Sequence, residues 1–188
     1  MRRLFLAAPI LAALVAGTAV APARADSYRD TNIPFYVETP DGFTIRLGVR
    51  EGYDLVLHIK PVGDFPAIVD GTSLCGIYFS AVRSAETQQR LNSRWKDEAV
   101  QAQVRRAFAD IMQVKSTETF ALRDEKAGDV VGLELVGPSR DDPSAVVMMS
   151  LVDTPRGQVQ VNCVLRSDQA TKALYAVRPI RDSIKLPR

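Results

Sequence analysis

The alternation of apolar and polar positions predicts four β-strands in the first half of the chain. Apolar residues recur at every second position, as in Phe43, Ile45 and Leu47, which is typical of a strand with one buried face. Short segments rich in turn-forming residues separate these runs. The predicted strands cover residues 32–38, 43–49, 53–60 and 72–82.

The apolar spacing then changes from two to three or four, which predicts helical structure. Residues 86–113 contain neither Gly nor Pro. Within this segment, Val100, Val104 and Phe108 lie on one face of a helix. An earlier helical turn is indicated by Leu91 and Trp95, and it belongs either to the same helix or to a separate short one.

Four further strands and a closing helix are predicted in the second half. The predicted strands cover residues 118–122, 130–136, 145–152 and 158–165. The Pro and Gly between the last two strands indicate a hairpin. We expect Asp168 to cap the closing helix and Pro179 to kink or divide it near its midpoint. Consecutive strands with short turns favour an antiparallel sheet, so the predicted fold class is α+β, with six to eight strands flanked by helices.

The first 25 residues have the pattern of a cleavable signal peptide. A pair of arginines precedes an apolar run, and the Ala-Arg-Ala of residues 23–25 offers the small side chains that a signal peptidase accepts. Cleavage is therefore predicted between Ala25 and Asp26, which leaves residues 26–188 as one folded domain. A membrane anchor is the alternative, disfavoured because the apolar run is short. The arginine pair also resembles a twin-arginine signal, which leaves the general and twin-arginine export routes open.

Removal of the signal changes the charge of the chain. The full sequence has 24 basic and 22 acidic residues. Three arginines leave with the signal, so 21 basic and 22 acidic side chains remain. A near-neutral domain gives no electrostatic basis for binding nucleic acid, and no membrane span is predicted after cleavage. The predicted location is the periplasm or the exterior of the cell.

The cysteine and histidine content limits the chemistry of the chain. Cys75 and Cys163 lie on the apolar faces of their strands, which in an exported domain predicts a disulfide, with two separate buried thiols as the alternative. His58 is the only histidine, and its place on the polar face of a strand favours a solvated side chain. Zinc or copper would need several such ligands, and no cofactor motif is present. We therefore assign no catalytic, metal-binding or cofactor-binding residue.

Three cations lie near the end of the closing helix. Arg178, Arg181 and Lys185 form either a basic surface or a set of charges that complement the helix dipole. The dipole interpretation is favoured, because charge runs on helices are usually solvated faces.

Residues 99–186 combine a helix containing Val100 and Phe108, a glycine turn leading into the strand of residues 130–135, a hairpin at Gly157, and a closing helix that ends in residues 180–184, Ile-Arg-Asp-Ser-Ile. In this order and spacing the second half resembles the PsbP-like family, which is named for an extrinsic subunit of photosystem II. The resemblance implies an α/β/α sandwich around an antiparallel sheet. It also implies accessory and binding roles, without a shared active site. The paired cysteines are not part of the family pattern.

Three functions are compatible with these features. The first is a non-catalytic accessory or binding protein of a bacterial periplasm that acts through protein–protein contact with a periplasmic partner. The second is a small-molecule carrier with a pocket between sheet and helices. The third is a hydrolase, which requires Asp and Glu side chains that converge in one cleft. The lack of a catalytic motif favours the first.

Overall fold

The computed structural model describes residues 25–69, 73–123 and 128–186. The predicted signal peptide lies outside these residues except for Ala25. The strands are β1 (Ser27–Asp30), β2 (Phe35–Glu38), β3 (Phe43–Gly48), β4 (Leu55–Pro61), β5 (Cys75–Ser80), β6 (Ser116–Leu122), β7 (Val130–Pro138), β8 (Ala145–Thr154) and β9 (Gly157–Arg166). The helices are α1 (Gln88–Lys96), α2 (Glu98–Ala107) and α3 (Ala170–Asp182). No helix in this part of the chain is both long and apolar enough to cross a membrane.

Seven strands form one antiparallel sheet in the order β3-β4-β5-β9-β8-β7-β6. The chain's first part supplies three neighbouring strands and its second part supplies four, so the two parts meet at the β5–β9 pair. The other two strands, β1 and β2, form a separate antiparallel hairpin. The predicted α+β class with an antiparallel sheet is confirmed. Alternation does not identify β1, because its sequence, Ser-Tyr-Arg-Asp, contains no aliphatic side chain.

Other elements pack on both faces of the sheet, and each face has its own hydrophobic core. On one face, α3 and the β1–β2 hairpin pack over a large cluster that includes Leu57, Ile77 and Val177. On the other face, α1 packs over β7 and β8, where Trp95 and Leu133 belong to a smaller cluster. On this second face, α1 and α2 leave part of the sheet uncovered, and this open part is the site described below.

The predicted long helical segment contains two helices. The break is at Asp97, whose backbone is extended and whose side chain accepts a hydrogen bond from the Ala99 amide at 2.8 Å. This bond caps α2, because the first amides of a helix have no partner within it. The second helix ends at Ala107, earlier than predicted, and a turn and an isolated bridge at Met112 follow.

The closing helix differs from the prediction at both ends. Asp168 does not cap α3 but pairs with Arg166 at 2.7 Å, and Gln169 occupies the N-cap without a side-chain bond. Pro179 lies inside α3, in its last turn, and does not divide it. The carbonyl that loses its helical donor belongs to Tyr175, a residue that is 74% exposed.

Cys75 and Cys163 form a disulfide, with an S–S distance of 2.01 Å. The two residues are direct partners in the β5–β9 pair, and both are buried in the α3-side core. The predicted disulfide is therefore confirmed. It joins the two parts of the sheet across the line at which they meet.

Candidate functional site

A groove of about 450 Å³ opens between the α1–α2 helices and strands β5, β8 and β9. It lies on the sheet face opposite α3, beside the area that α1 covers. The helices contribute Arg94, Trp95, Val100, Gln103, Val104 and Ala107 to its lining. Tyr53, which precedes β4, lines one end.

The strand register arranges the floor of the groove in two rows. The first row is Tyr78, Gln160 and Leu151, and the second row is Ser80, Gln158 and Asp153. Successive residues of a strand point to opposite faces. The intervening residues of β9 therefore point into the α3-side core, as Val159 and Val161 do. The same alternation that builds the core thus places amide and hydroxyl groups on the groove floor.

One ion pair lies within the groove. The Nη2 of Arg94 donates a hydrogen bond to the Oδ2 of Asp153. The Asp153 side chain is 8% exposed and that of Arg94 is 38% exposed. Burial raises the pKa of Asp153, and the hydrogen bond and positive charge of Arg94 offset part of that rise. The two charges satisfy each other, so this pair leaves no net charge in the groove.

Two tyrosine rings, tilted by 48° to each other, and one arginine form a cluster at one end of the groove. The ring centroids of Tyr53 and Tyr78 are 5.1 Å apart. The guanidinium of Arg50 lies 5.2 Å from the Tyr78 centroid and 5.6 Å from that of Tyr53. Gly76 leaves space for the Tyr78 ring, because a Cβ at this position would collide with it. Such a cluster is suited to binding aromatic or apolar groups.

A row of polar residues continues this face away from the groove. His58, Gly76 and Asn162 are direct neighbours across β4, β5 and β9. The Nδ1 of His58 and the Oδ1 of Asn162 are buried, and neither has a hydrogen-bond partner within the described ranges. The His58 ring packs against Gly48. The histidine predicted to be solvated is therefore half-buried and held against the sheet.

The three cations near the end of α3 have different surroundings. Arg178 donates to the Oε1 of Glu134 at 2.7 Å through Nη2, and Arg181 donates to the other oxygen of the same carboxylate. The pKa of Arg178 is raised, first by its hydrogen bond to Glu134. Arg181 is only 6% exposed and belongs to the interior rather than to a basic surface. Lys185 is exposed and lies over the ring of Tyr36.

Two acidic residues occupy facing positions on neighbouring strands, on the α3 side of the sheet. Glu118 and Glu134 are direct partners across β6 and β7. Glu134 is 3% exposed and engaged by two arginines, which marks it as structural. The groove lining contains one carboxylate, that of Asp153. Within the described ranges, no three His, Cys, Asp or Glu residues are grouped so that they could hold a metal ion.

The groove lies between sheet and helices, where the carrier hypothesis expects a pocket, but the sequence does not identify its lining residues, because its two sides are far apart in the chain. Arg94 and Asp153 are separated by 59 positions, and nothing local to either one indicates the other. The usable signal is in β9, where Gln158 and Gln160 alternate with buried valines. Amides at these positions indicate that the face of β9 opposite the buried valines carries polar groups near the centre of the sheet.

Comparison with known proteins establishes the fold. No family model matches the sequence, and no curated protein sequence matches it significantly. The chain is similar to the solution structure of cyanobacterial PsbP (CyanoP) from Synechocystis sp. PCC 6803, with a TM-score of 0.51 and 16% identity. The match covers 93% of this chain and 99% of that chain. The PsbP-like fold expected from the second half is therefore confirmed and extends to nearly the whole chain.

Proposed function

We propose that the protein is an exported, non-catalytic accessory protein of the bacterial periplasm that binds a protein partner through the groove. Residues 1–25 are the export signal in this proposal, and residues 26–188 act as one folded domain. The Cys75–Cys163 disulfide supports an oxidising compartment, where such bonds persist. The likeness to cyanobacterial PsbP supports an accessory role by analogy of fold.

The observation that carries the proposal is the composition of the groove. Its Arg94–Asp153 pair is satisfied internally. The other lining groups are amides, hydroxyls, aromatic rings and aliphatic side chains. Groups of this kind bind and orient a partner by stacking, burial and hydrogen bonding. The lining of the groove, with the Arg50 guanidinium beside its two tyrosines, favours a partner segment that presents an aromatic or aliphatic side chain.

Capture experiments with two matched variants test the proposal. Ala107 and Ala99 are both exposed on α2, but only Ala107 lines the groove. An Ala107→Arg chain places a long cation in the groove and is expected to lose the partner that the wild type captures from a periplasmic extract. The Ala99→Arg chain should retain that partner. Two results contradict the proposal: equal capture of the partner by the two variants, or no capture by any of the three chains.

The export component has its own test. N-terminal sequencing of protein isolated from the periplasm should begin at Asp26. A product that still begins at Met1, or that is found only in the cytoplasm, contradicts this part of the proposal. The result does not depend on the capture experiment, because the processed chain is observed directly.

A small-molecule carrier is the second candidate, and the size of the groove favours it. A volume of about 450 Å³ lies within the range of roughly 300–1,000 Å³ that is usual for ligand sites. The tilted Tyr53–Tyr78 pair would contact an aromatic or apolar part of the ligand. Native mass spectrometry of freshly purified protein should then show an adduct that the Ala107→Arg variant lacks. Repeated preparations without an adduct would speak against a carrier.

A further inference from the structure

Asp26 is bound to the fold through its main chain. Its amide donates to the Oγ1 of Thr39 at 3.1 Å. In return, the amide of Thr39 donates to the Asp26 carbonyl at 2.8 Å, and the Thr39 hydroxyl lies 3.2 Å from the same oxygen. Thr39 itself is 2% exposed. These bonds extend the β1–β2 ladder by one residue pair, so Asp26 is held at the start of the folded chain.

The side chain of Asp26 adds a second attachment. Its Oδ2 accepts a hydrogen bond from the Ile45 amide at 2.8 Å, and its Oδ1 accepts one from the Ser27 amide at 2.9 Å. Ile45 belongs to β3, which lies at the edge of the seven-stranded sheet. The carboxylate therefore accepts a hydrogen bond from an amide on the sheet edge that would otherwise have no strand partner. Asp26 connects the N-terminal hairpin to the main sheet.

The residue before Asp26 has a different environment. Ala25 is exposed, and it is the residue after which the sequence predicts cleavage. A processing protease has to draw residues on both sides of the bond that it cuts into an extended segment. Residues held by main-chain and side-chain bonds reach that state only by local opening. The bond to be cut thus joins an accessible residue to an anchored one.

We propose that folding gates the peptide bond between Ala25 and Asp26: it is cut before β1 docks, and docking protects it from the peptidase. This inference rests on the proposed export. Hydrolysis breaks the amide C–N bond, adds the water oxygen to the Ala25 carbonyl carbon as a carboxylate, and leaves the nitrogen of Asp26 as an ammonium group. When β1 then docks, that ammonium group donates to Thr39 the hydrogen bond that the amide donates in an uncleaved folded chain. A chain exported unfolded by the general route would be cut faster than one exported folded by the twin-arginine route.

The test measures cleavage of the folded full-length chain by purified signal peptidase in detergent micelles, followed by mass spectrometry. The reference is a synthetic peptide covering residues 1–38, which lacks Thr39 and Ile45 and therefore cannot hold Asp26 as the fold does. Because several hydrogen bonds must open, the folded chain should be cut at least about tenfold more slowly than the peptide. Equal rates would overturn the inference. If the peptide itself is not cut after Ala25, it is the proposed export signal that fails.

Variants at Thr39 test the mechanism without changing the sequence next to the cut. Thr39→Val removes the hydroxyl that holds Asp26 and should speed cleavage at least about threefold. Thr39→Ser keeps the hydroxyl and should restore slow cleavage. Thr44→Val is the matched control, because the Thr44 hydroxyl bonds to the carbonyl of Lys60 and not to Asp26. A Thr39→Val rate equal to that of Thr44→Val would contradict the gating.

A second measurement remains decisive if Thr39→Val does not fold. In a chain that begins at Asp26, the Ile45 amide should be protected from hydrogen exchange by the Asp26 carboxylate. In a chain that begins at Ser27, that protection should fall by about tenfold, while amides paired between β4 and β5 keep theirs. Unchanged exchange at Ile45 would refute the anchoring role of Asp26.

Discussion

Replacing Glu134 by glutamine removes one charge from the interior while keeping the shape of the side chain. Glu134 is 3% exposed and accepts hydrogen bonds from Arg178 and Arg181. The Arg181 guanidinium also lies 4.1 Å from the centroid of the Phe120 ring. After Glu134→Gln, Arg181 keeps its buried position with only Asp182 as a charged partner.

The expected loss of stability follows from the burial of this network. Removing one member of a buried ion pair costs about 3–5 kcal/mol, because the remaining charge is left without compensation. We expect the lower end of this range, since the Arg178 side chain is 33% exposed and can turn towards water. A loss of about 3 kcal/mol corresponds to a Tm lower by about 6–12 °C in a domain of this size.

Urea unfolding followed by circular dichroism, with the disulfide intact, measures this loss. Glu118→Gln is the control, because Glu118 faces Glu134 across the strand pair but is exposed. It should change the free energy of unfolding by less than about 0.5 kcal/mol. Combining Glu134→Leu with Arg181→Met should recover much of the loss, since apolar replacement of a buried pair is often neutral. Equal stability of the Glu134→Gln and Glu118→Gln chains would refute the reasoning.

Three further predictions concern the core and the groove. Replacing Cys75 and Cys163 by alanine should lower the free energy of unfolding by about 4–5 kcal/mol, because the disulfide spans 88 positions; a urea midpoint equal to that of the oxidised wild type would exclude this. Gly137→Ala should cost about 1–3 kcal/mol by the same assay, because its Cβ would collide with a backbone carbonyl, whereas Gly63→Ala, in open space, should be nearly neutral. Burial raises the pKa of Asp153, so the folded chain binds this proton more tightly than the unfolded chain. The wild type should therefore gain stability relative to Asp153→Asn as the pH falls from about 7 through the raised pKa towards 3.8, and lose it as the pH rises. A stability difference between the two chains that does not change with pH contradicts this prediction.

Most strands could be predicted because alternation reports which residues face a core. The same rule placed both cysteines on the apolar faces of their strands, and this placement allowed their disulfide to be predicted. Alternation does not separate Met148 from Met149: the two side chains lie on opposite faces of β8, yet both are buried, because both faces of this strand are covered. A local pattern records one face of a strand, and it does not show what packs on the other.

The features that escaped prediction depend on contacts between distant segments. Glu134 is one acidic residue in an apolar strand, and only the packing of α3 on the sheet shows why it is there. The break at Asp97, in contrast, has a local signal in the sequence, since an aspartate followed by Glu-Ala-Val is a recognisable helix start. The residues that line the groove could not be predicted, because Arg94 and Asp153 become neighbours only when α1 packs beside β8.

The position of the disulfide gives the chain a property that its topology alone would not. Because Cys75 and Cys163 bridge the seam between β5 and β9, the backbone connection through α1 and α2 is not the only covalent link between the halves. A protein nicked between α2 and β6 would remain one molecule, and its fragments would separate on a denaturing gel only after reduction. The architecture is thus suited to a split protein, in which two separately produced pieces are rejoined by oxidation.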